Sequence, residues 1–279
     1  MQPALVDNQR RRGLVAYFVL TYAISWAIEI PIALSLRGII PITIPMPIHY
    51  LASFGPFCAA LIVAAVIEGA PGIRSLFSGL GKWRVGVGYA SFAVLVPIAL
   101  FAVAVVATRL MRGAWPDLGL LADVDYLPGI GIVPALILWL LTFGFGEELG
   151  WRGYALPRLQ ASRSAYASAL LLGVIWSGWH LPAFFYRDTY MAMGLLLGIP
   201  MLVFSVCVAS VIITWLYNGT RGSLLMVALF HALFDFFSVS EAGGESAPII
   251  MSAVLVFWAV RVIKLHGAAN LAPVAKHAV

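Results

Sequence analysis

Eight apolar runs of 14 to 25 residues, separated by short polar or proline-bearing segments, constrain this chain more than any other feature. They fall at Leu14–Leu36, Tyr50–Ile67, Val85–Ala107, Ile130–Phe145, Ala165–Phe185, Met193–Tyr217, Leu224–Phe237 and Ala247–Ile263. A helix of about 20 residues crosses a hydrocarbon core of about 30 Å. Inside that core the backbone must satisfy its own polar groups, which long apolar helices do. The expected class is therefore all-α, a polytopic membrane helix bundle with about eight transmembrane helices and a single membrane domain over residues 1–279. Composition agrees: 10% of the residues are charged and 62% hydrophobic, where a soluble domain carries about 25% charged. Little length remains for a separate soluble domain.

The formal charge of +5 raises nucleic acid as a partner, but the basic residues are scattered through loops beside apolar runs. That is the pattern of membrane orientation, so no nucleic acid is expected. Cys58 and Cys207 stand alone in apolar stretches, which points to neither a disulfide framework nor a cysteine zinc site. Arg10-Arg11-Arg12 precedes the first run, and no small-residue cleavage site follows at signal-peptide distance. The first run reads as a retained span. With both termini in the cytoplasm, 13 Lys and Arg lie on the inner side against Arg37, Arg109, Arg112 and Arg187 outside, and that excess sets the expected orientation. Asp117, Asp123, Asp125, Glu241 and Glu245 on outer loops agree with it. Arginine supplies 14 of the 17 basic residues, which suits a bacterial genome and an inner (plasma) membrane. Glu29 and Glu68, alone at span edges, read as snorkelling or interfacial.

Against this apolar background, Gly144-Phe145-Gly146-Glu147-Glu148-Leu149-Gly150-Trp151-Arg152 carries an unusual cost. A charged side chain at mid-bilayer costs roughly 2.5–3.5 kcal/mol, so it marks a functional candidate. On a helix Glu148 and Arg152 are four apart with the acid first, the favourable order for an ion pair. Glu147 points about 100° away and shares a face with Trp151. Glu148 and Arg152 thus read as a supporting clamp, and Glu147 as the carboxylate left for chemistry.

Two other runs carry polar positions. Trp176 and His180 are four apart on one helical face, and His231 and Asp235 form a second such pair in which the carboxylate can orient the imidazole or join it as a ligand. A bundle that gathers Glu147, His180, His231 and Asp235 would hold a general base, two imidazoles and a second carboxylate in a partly dry cavity, a set suited to activating water. The flanking Trp151, Trp176, Trp179, Phe230, Phe234 and Phe236 read as packing or interfacial belt.

Glu147-Glu148-x-x-x-Arg152, Trp176-x-x-x-His180 and His231-x-x-x-Asp235, in this order within apolar helices, resemble the CPBP family of intramembrane proteases, also called the CAAX protease and bacteriocin-processing or Abi family. The likeness covers residues 130–237, a CPBP-like catalytic core. It implies an endopeptidase cutting a membrane-associated peptide or protein, prenylated and CAAX-like or a bacteriocin or leader peptide. It further implies that Glu147 and His180 activate the water, while His231 and Asp235 stabilise the oxyanion or help hold a metal. A divalent metal such as zinc on His180, His231 and Asp235 belongs to that expectation, as does contact with membrane lipid. Two positions depart from the usual pattern, Trp176 standing for Phe and Asp235 for Asn. An ionised Asp cannot donate to an oxyanion as Asn does, so Asp235 fits better as ligand or as orienter of His231.

Other readings use the same buried groups. A proton-coupled transporter would place Glu, His and Asp in a relay, and a non-catalytic immunity scaffold would bind a peptide without cutting it. Gly144-Phe145-Gly146-Glu147 lacks the second motif of the aspartyl intramembrane proteases, Ile175 two before Ser177 breaks a rhomboid G-x-S-G, and no H-E-x-x-H is present.

Overall fold

The structure, a computed structural model, describes residues 3–124, 127, 129–244 and 246–279, the side chains of 3–8 excepted. Asp125 and Glu245, counted above with the outer acids, and Pro128 lie outside the described residues. Every expected apolar run is helical: α1 Pro3–Leu36, α2 Met46–Phe77, α3 Val87–Arg112, α4 Ile132–Gln160, α5 Ala165–Phe185, α6 Asp188–Gly219, α7 Leu224–Val239 and α8 Ala247–Asn270. Seven have the length and apolarity to cross a membrane, and α7 is the shorter eighth. Its 16 residues span about 24 Å at 1.5 Å each. Among the described residues the β pairing amounts to one bridge between Val124 and Leu127.

The boundaries moved where glycine or polar partners intervene. The helix containing the sixth run starts at Asp188, but Gly194, at φ 66° and ψ 163°, breaks it, so the regular stretch begins close to the expected Met193. The fourth run does not stop at Phe145. It continues to Gln160 as alternating α and π segments, with π turns at Leu140–Glu147 and Trp151–Ala155. Glu147 consequently lies 15 residues past Ile132 and 13 before Gln160, near the middle of its helix. Such π turns widen the helix locally and occur often at functional sites.

The helices adjoin one another in a closed circuit: α1 packs on α2, α2 on α4, α4 on α7, α7 on α3, α3 on α8, α8 on α6, α6 on α5, and the end of α5 returns to α1. A tight approach of two helices sits beside the acidic stretch. A Cβ on Gly150 would lie 2.5 Å from the backbone of Pro56, so only glycine lets α4 press this closely on α2. Both edge carboxylates turned out to be held within the protein. Glu29 is 4% exposed and accepts a hydrogen bond from the Tyr186 hydroxyl at 2.9 Å. Glu68 receives Arg158 through Nε at 3.0 Å and Nη2 at 2.5 Å. Neither stands alone as the sequence suggested: a partner from another helix offsets the cost of desolvating each carboxylate, and Glu68 keeps 31% of its side chain exposed.

Candidate active site

Helix α4 supplies the acidic stretch. Glu147, Glu148 and Arg152 are 2%, 0% and 0% exposed, so every polar atom they bring inside needs a partner. Arg152 Nη1 donates to Glu148 Oε1 at 2.8 Å, as the spacing predicts. Arg152 Nη2 reaches Ser210 Oγ on α6 at 3.4 Å, and its guanidinium lies over the Trp176 ring, 4.6 Å from the centroid.

Glu147 is not left free. Trp176 Nε1 donates to its Oε2 at 2.9 Å, and Trp151 Nε1 to the same oxygen at 3.3 Å. Oε1 accepts no hydrogen bond from another described residue. Trp151, one helical turn after Glu147, was visible in the sequence as a face-mate. Trp176, read there as packing, is the side chain that joins the site. Its ring centroid lies 6.0 Å from that of His180 and 5.0 Å from that of His231, while its N–H holds Glu147 and its face covers Arg152.

His180 ends the regular part of α5. Its Nδ1 is 2.8 Å from the Trp176 carbonyl oxygen. A carbonyl only accepts, so the proton sits on Nδ1 and the Nε2 lone pair is available. Helix α1 fixes this end of α5: Tyr22 donates from its hydroxyl to the Ile175 carbonyl, and Trp26 Nε1 to that of Trp179 at 3.0 Å. Carbonyls in a last helical turn lack intrahelical donors, and Trp26 supplies one.

His231, 4% exposed on α7, sits between two carboxylates. Nε2 is 3.2 Å from Asp235 Oδ2. Nδ1 is 2.8 Å from Glu148 Oε1, off the angle of a hydrogen bond. The clamp foreseen between Glu148 and Arg152 thus extends to a second helix. Asp235, with 34% of its side chain exposed, is the open end of this chain of groups. Glu148 Oε2 and Arg152 Nε are buried without a partner among the described residues, which leaves polar atoms for a water or substrate to satisfy.

The expected metal site is not built by these side chains. An imidazole binds a metal through a free nitrogen lone pair. His231 turns both nitrogens toward carboxylates, and among the described residues no three His, Cys, Asp or Glu groups converge as ligands. The set of His180, His231 and Asp235 therefore does not fit a metal as it stands.

His49, which the sequence gave no reason to single out, is buried at the start of α2 beside Phe143, 6.4 Å between ring centroids, and Tyr186, 6.2 Å. Lying between Pro45, Pro47 and the second apolar run, it has no charged residue four positions away in the sequence to mark it.

Residues 129–237 match the family described as Type II CAAX prenyl endopeptidase Rce1-like. The protein called CAAX prenyl protease 2 of Methanococcus maripaludis is 34% identical over 135 residues, covering 47% of this chain and 49% of that protein. The chain thus aligns with about half the length of that relative. The matched segment contains all three motif pairs, so residues 129–237 are similar to the Rce1-like core of the CPBP family.

Proposed function

We propose that the chain is an intramembrane endopeptidase that hydrolyses a peptide bond of a membrane-associated substrate with water activated by Glu147 and His180. One observation carries the reading most: Glu147 is anchored through Oε2 alone, by two neutral indole donors, and His180 is held through Nδ1 alone. Each group is oriented and keeps one atom able to take a proton. The water oxygen bonds the scissile carbonyl carbon as its proton passes to Glu147 or His180. That proton then goes to the departing amine as the C–N bond breaks. The resemblance gives His231 and Asp235 the developing oxyanion, and with both His231 nitrogens directed at Glu148 and Asp235 the imidazole would act there through its charge rather than through a free N–H. No step runs through a metal.

The relative's name supports a substrate of prenylated, CAAX-like type, and a bacteriocin or leader peptide is the other class the motifs suggest. The Lys and Arg bias supports a bacterial plasma membrane with both termini in the cytoplasm. The test is cleavage of fluorogenic membrane-tethered peptides, prenylated and not, by the purified protein in detergent. Glu147→Ala and His180→Ala should each lower the rate by about 10²-fold or more. A chelator should leave it unchanged, whereas chelator loss restored by zinc would mean that the imidazoles regroup around an ion. Variants that cleave like the wild type would refute the site. A cellular effect that persists in Glu147→Ala would favour the scaffold, and substrate flux driven by a pH gradient the transporter.

A further inference from the structure

On a different side of the bundle, α3, α6 and α8 leave a crevice of about 580 Å³ lined by Tyr89, Phe92, Leu95, Val96, Trp215 and Trp258, with Gly86, Gly88 and Ser91 along its edge. Its lining is almost wholly apolar. Leu95 and Trp258 on its border are 58% and 37% exposed, and both belong to helices long and apolar enough to cross a membrane. The crevice therefore opens sideways to hydrocarbon, where an occupant is itself apolar.

One end of the crevice is polar and basic. Arg84 precedes Gly86 by two residues and is exposed, its guanidinium 4.9 Å from the Trp83 ring centroid. Tyr89 packs so tightly on Gly219 that a Cβ there would lie 2.5 Å from the phenol. Two residues on, exposed Arg221 accepts a bond from Lys82 Nζ through its carbonyl at 2.8 Å. Lys82 and Arg221 are thus neighbours, and Arg84 lies two residues before the Gly86 edge of the crevice, beside Trp83 and Tyr89, ring types common at membrane surfaces. Basic pockets between transmembrane helices bind anionic headgroups.

We infer that this crevice is a binding site for an anionic glycerophospholipid, one acyl chain lying against Phe92, Trp215 and Trp258 and the phosphate between Arg84 and Arg221. The charge of the rim selects the headgroup, and the lateral opening selects a chain already in the bilayer. Phe92 also stacks on Phe230, 5.4 Å between centroids and one residue before His231, so an occupied crevice braces α7 from behind.

The test uses the full chain in phosphatidylcholine nanodiscs that contain a minor fraction of lipid brominated on the acyl chain. Trp215 is 8% exposed, so bromine quenches it only from within the crevice, and Trp215→Phe identifies that component. Brominated phosphatidylglycerol should quench it more than brominated phosphatidylcholine, and the preference should fall about fivefold for each guanidinium removed in Arg84→Gln and Arg221→Gln. Gly88→Leu should lower quenching by both lipids, since a Cβ there meets open space and fills the crevice without disturbing the fold. Equal quenching by the two lipids, or a preference that survives both arginine substitutions, would overturn the inference. So would displacement by an isoprenoid alcohol regardless of headgroup, which would assign the crevice to a prenyl chain.

Discussion

Replacing Arg152 by Met removes a cation with no exposed surface while keeping most of the volume of its stem. Glu148 would then face His231 alone, with Oε1 2.8 Å from Nδ1 and Oε2 still without a partner. Breaking a buried pair from one side costs about 3–5 kcal/mol, because the surviving charge stays desolvated. Loss of the guanidinium over Trp176 at 4.6 Å accounts for up to about 2 kcal/mol of that. Glu148→Gln alone should cost a similar amount by stranding Arg152. The double variant strands neither charge, and buried pairs replaced together are often neutral in stability. It should therefore be more stable than either single variant, with a coupling of at least about 2 kcal/mol on the scale of residues in direct contact. The assay is reversible unfolding in mixed micelles followed by far-ultraviolet circular dichroism for the wild type and the three variants. Additive losses would refute the reasoning, since they would mean that Glu148 and Arg152 do not neutralise one another.

Trp176→Phe, the residue usual in the family, should slow cleavage about 10–100-fold by removing the 2.9 Å indole bond to Glu147, a hydrogen bond to a charged group being worth about 1.5–3 kcal/mol; an unchanged rate would show that the indole does not hold the base. Gly150→Ala should lower the melting temperature through an overpacking cost of about 1–3 kcal/mol against Pro56, while Gly88→Ala, with open space at its Cβ, should not. His277 lies beyond the last span, where its backbone N–H donates to Asn218 Oδ1 at 3.1 Å and its carbonyl accepts from Gln160 at 2.7 Å. Burial, and secondarily Lys82, holds its imidazole below the ordinary value. The stability it contributes is therefore present above the usual histidine pKa near 6.5 and lost as pH falls from there through the lowered folded value. Hydrogen exchange of residues 271–279 should accelerate over that window in the wild type and not in His277→Gln.

What the sequence disclosed, and what it withheld, divide at the helix boundary. Pairs set by periodicity alone came through: Glu148 with Arg152, His231 with Asp235, and Glu147 beside Trp151, all i, i+4 and all in contact. Contacts that depend on which helix faces which did not. Trp176 donating to Glu147, His231 meeting Glu148, and Tyr186 bonding Glu29 each join separate helices, and a hydrophobic pattern says nothing about partners when lipid and neighbouring helix are equally apolar. The π turns in α4 add to this, because they shift the phase of every residue that follows them.

The same division changes the reason for preferring Glu147 as the base. In the sequence Glu147 stood out as the carboxylate that Arg152 leaves alone, yet in the structure both carboxylates have partners. The difference lies in the charge of those partners. Glu148 Oε1 meets a guanidinium at 2.8 Å and an imidazole nitrogen at the same distance, so protonating it would leave Arg152 as an uncompensated buried cation. Glu147 is held by two indole N–H groups, which are neutral donors on a single oxygen. It can take a proton on the other oxygen without breaking an ion pair. A general base must cycle between charge states at every turnover, and of the two acids only Glu147 can do so at no cost to the clamp that holds α4, α6 and α7 together.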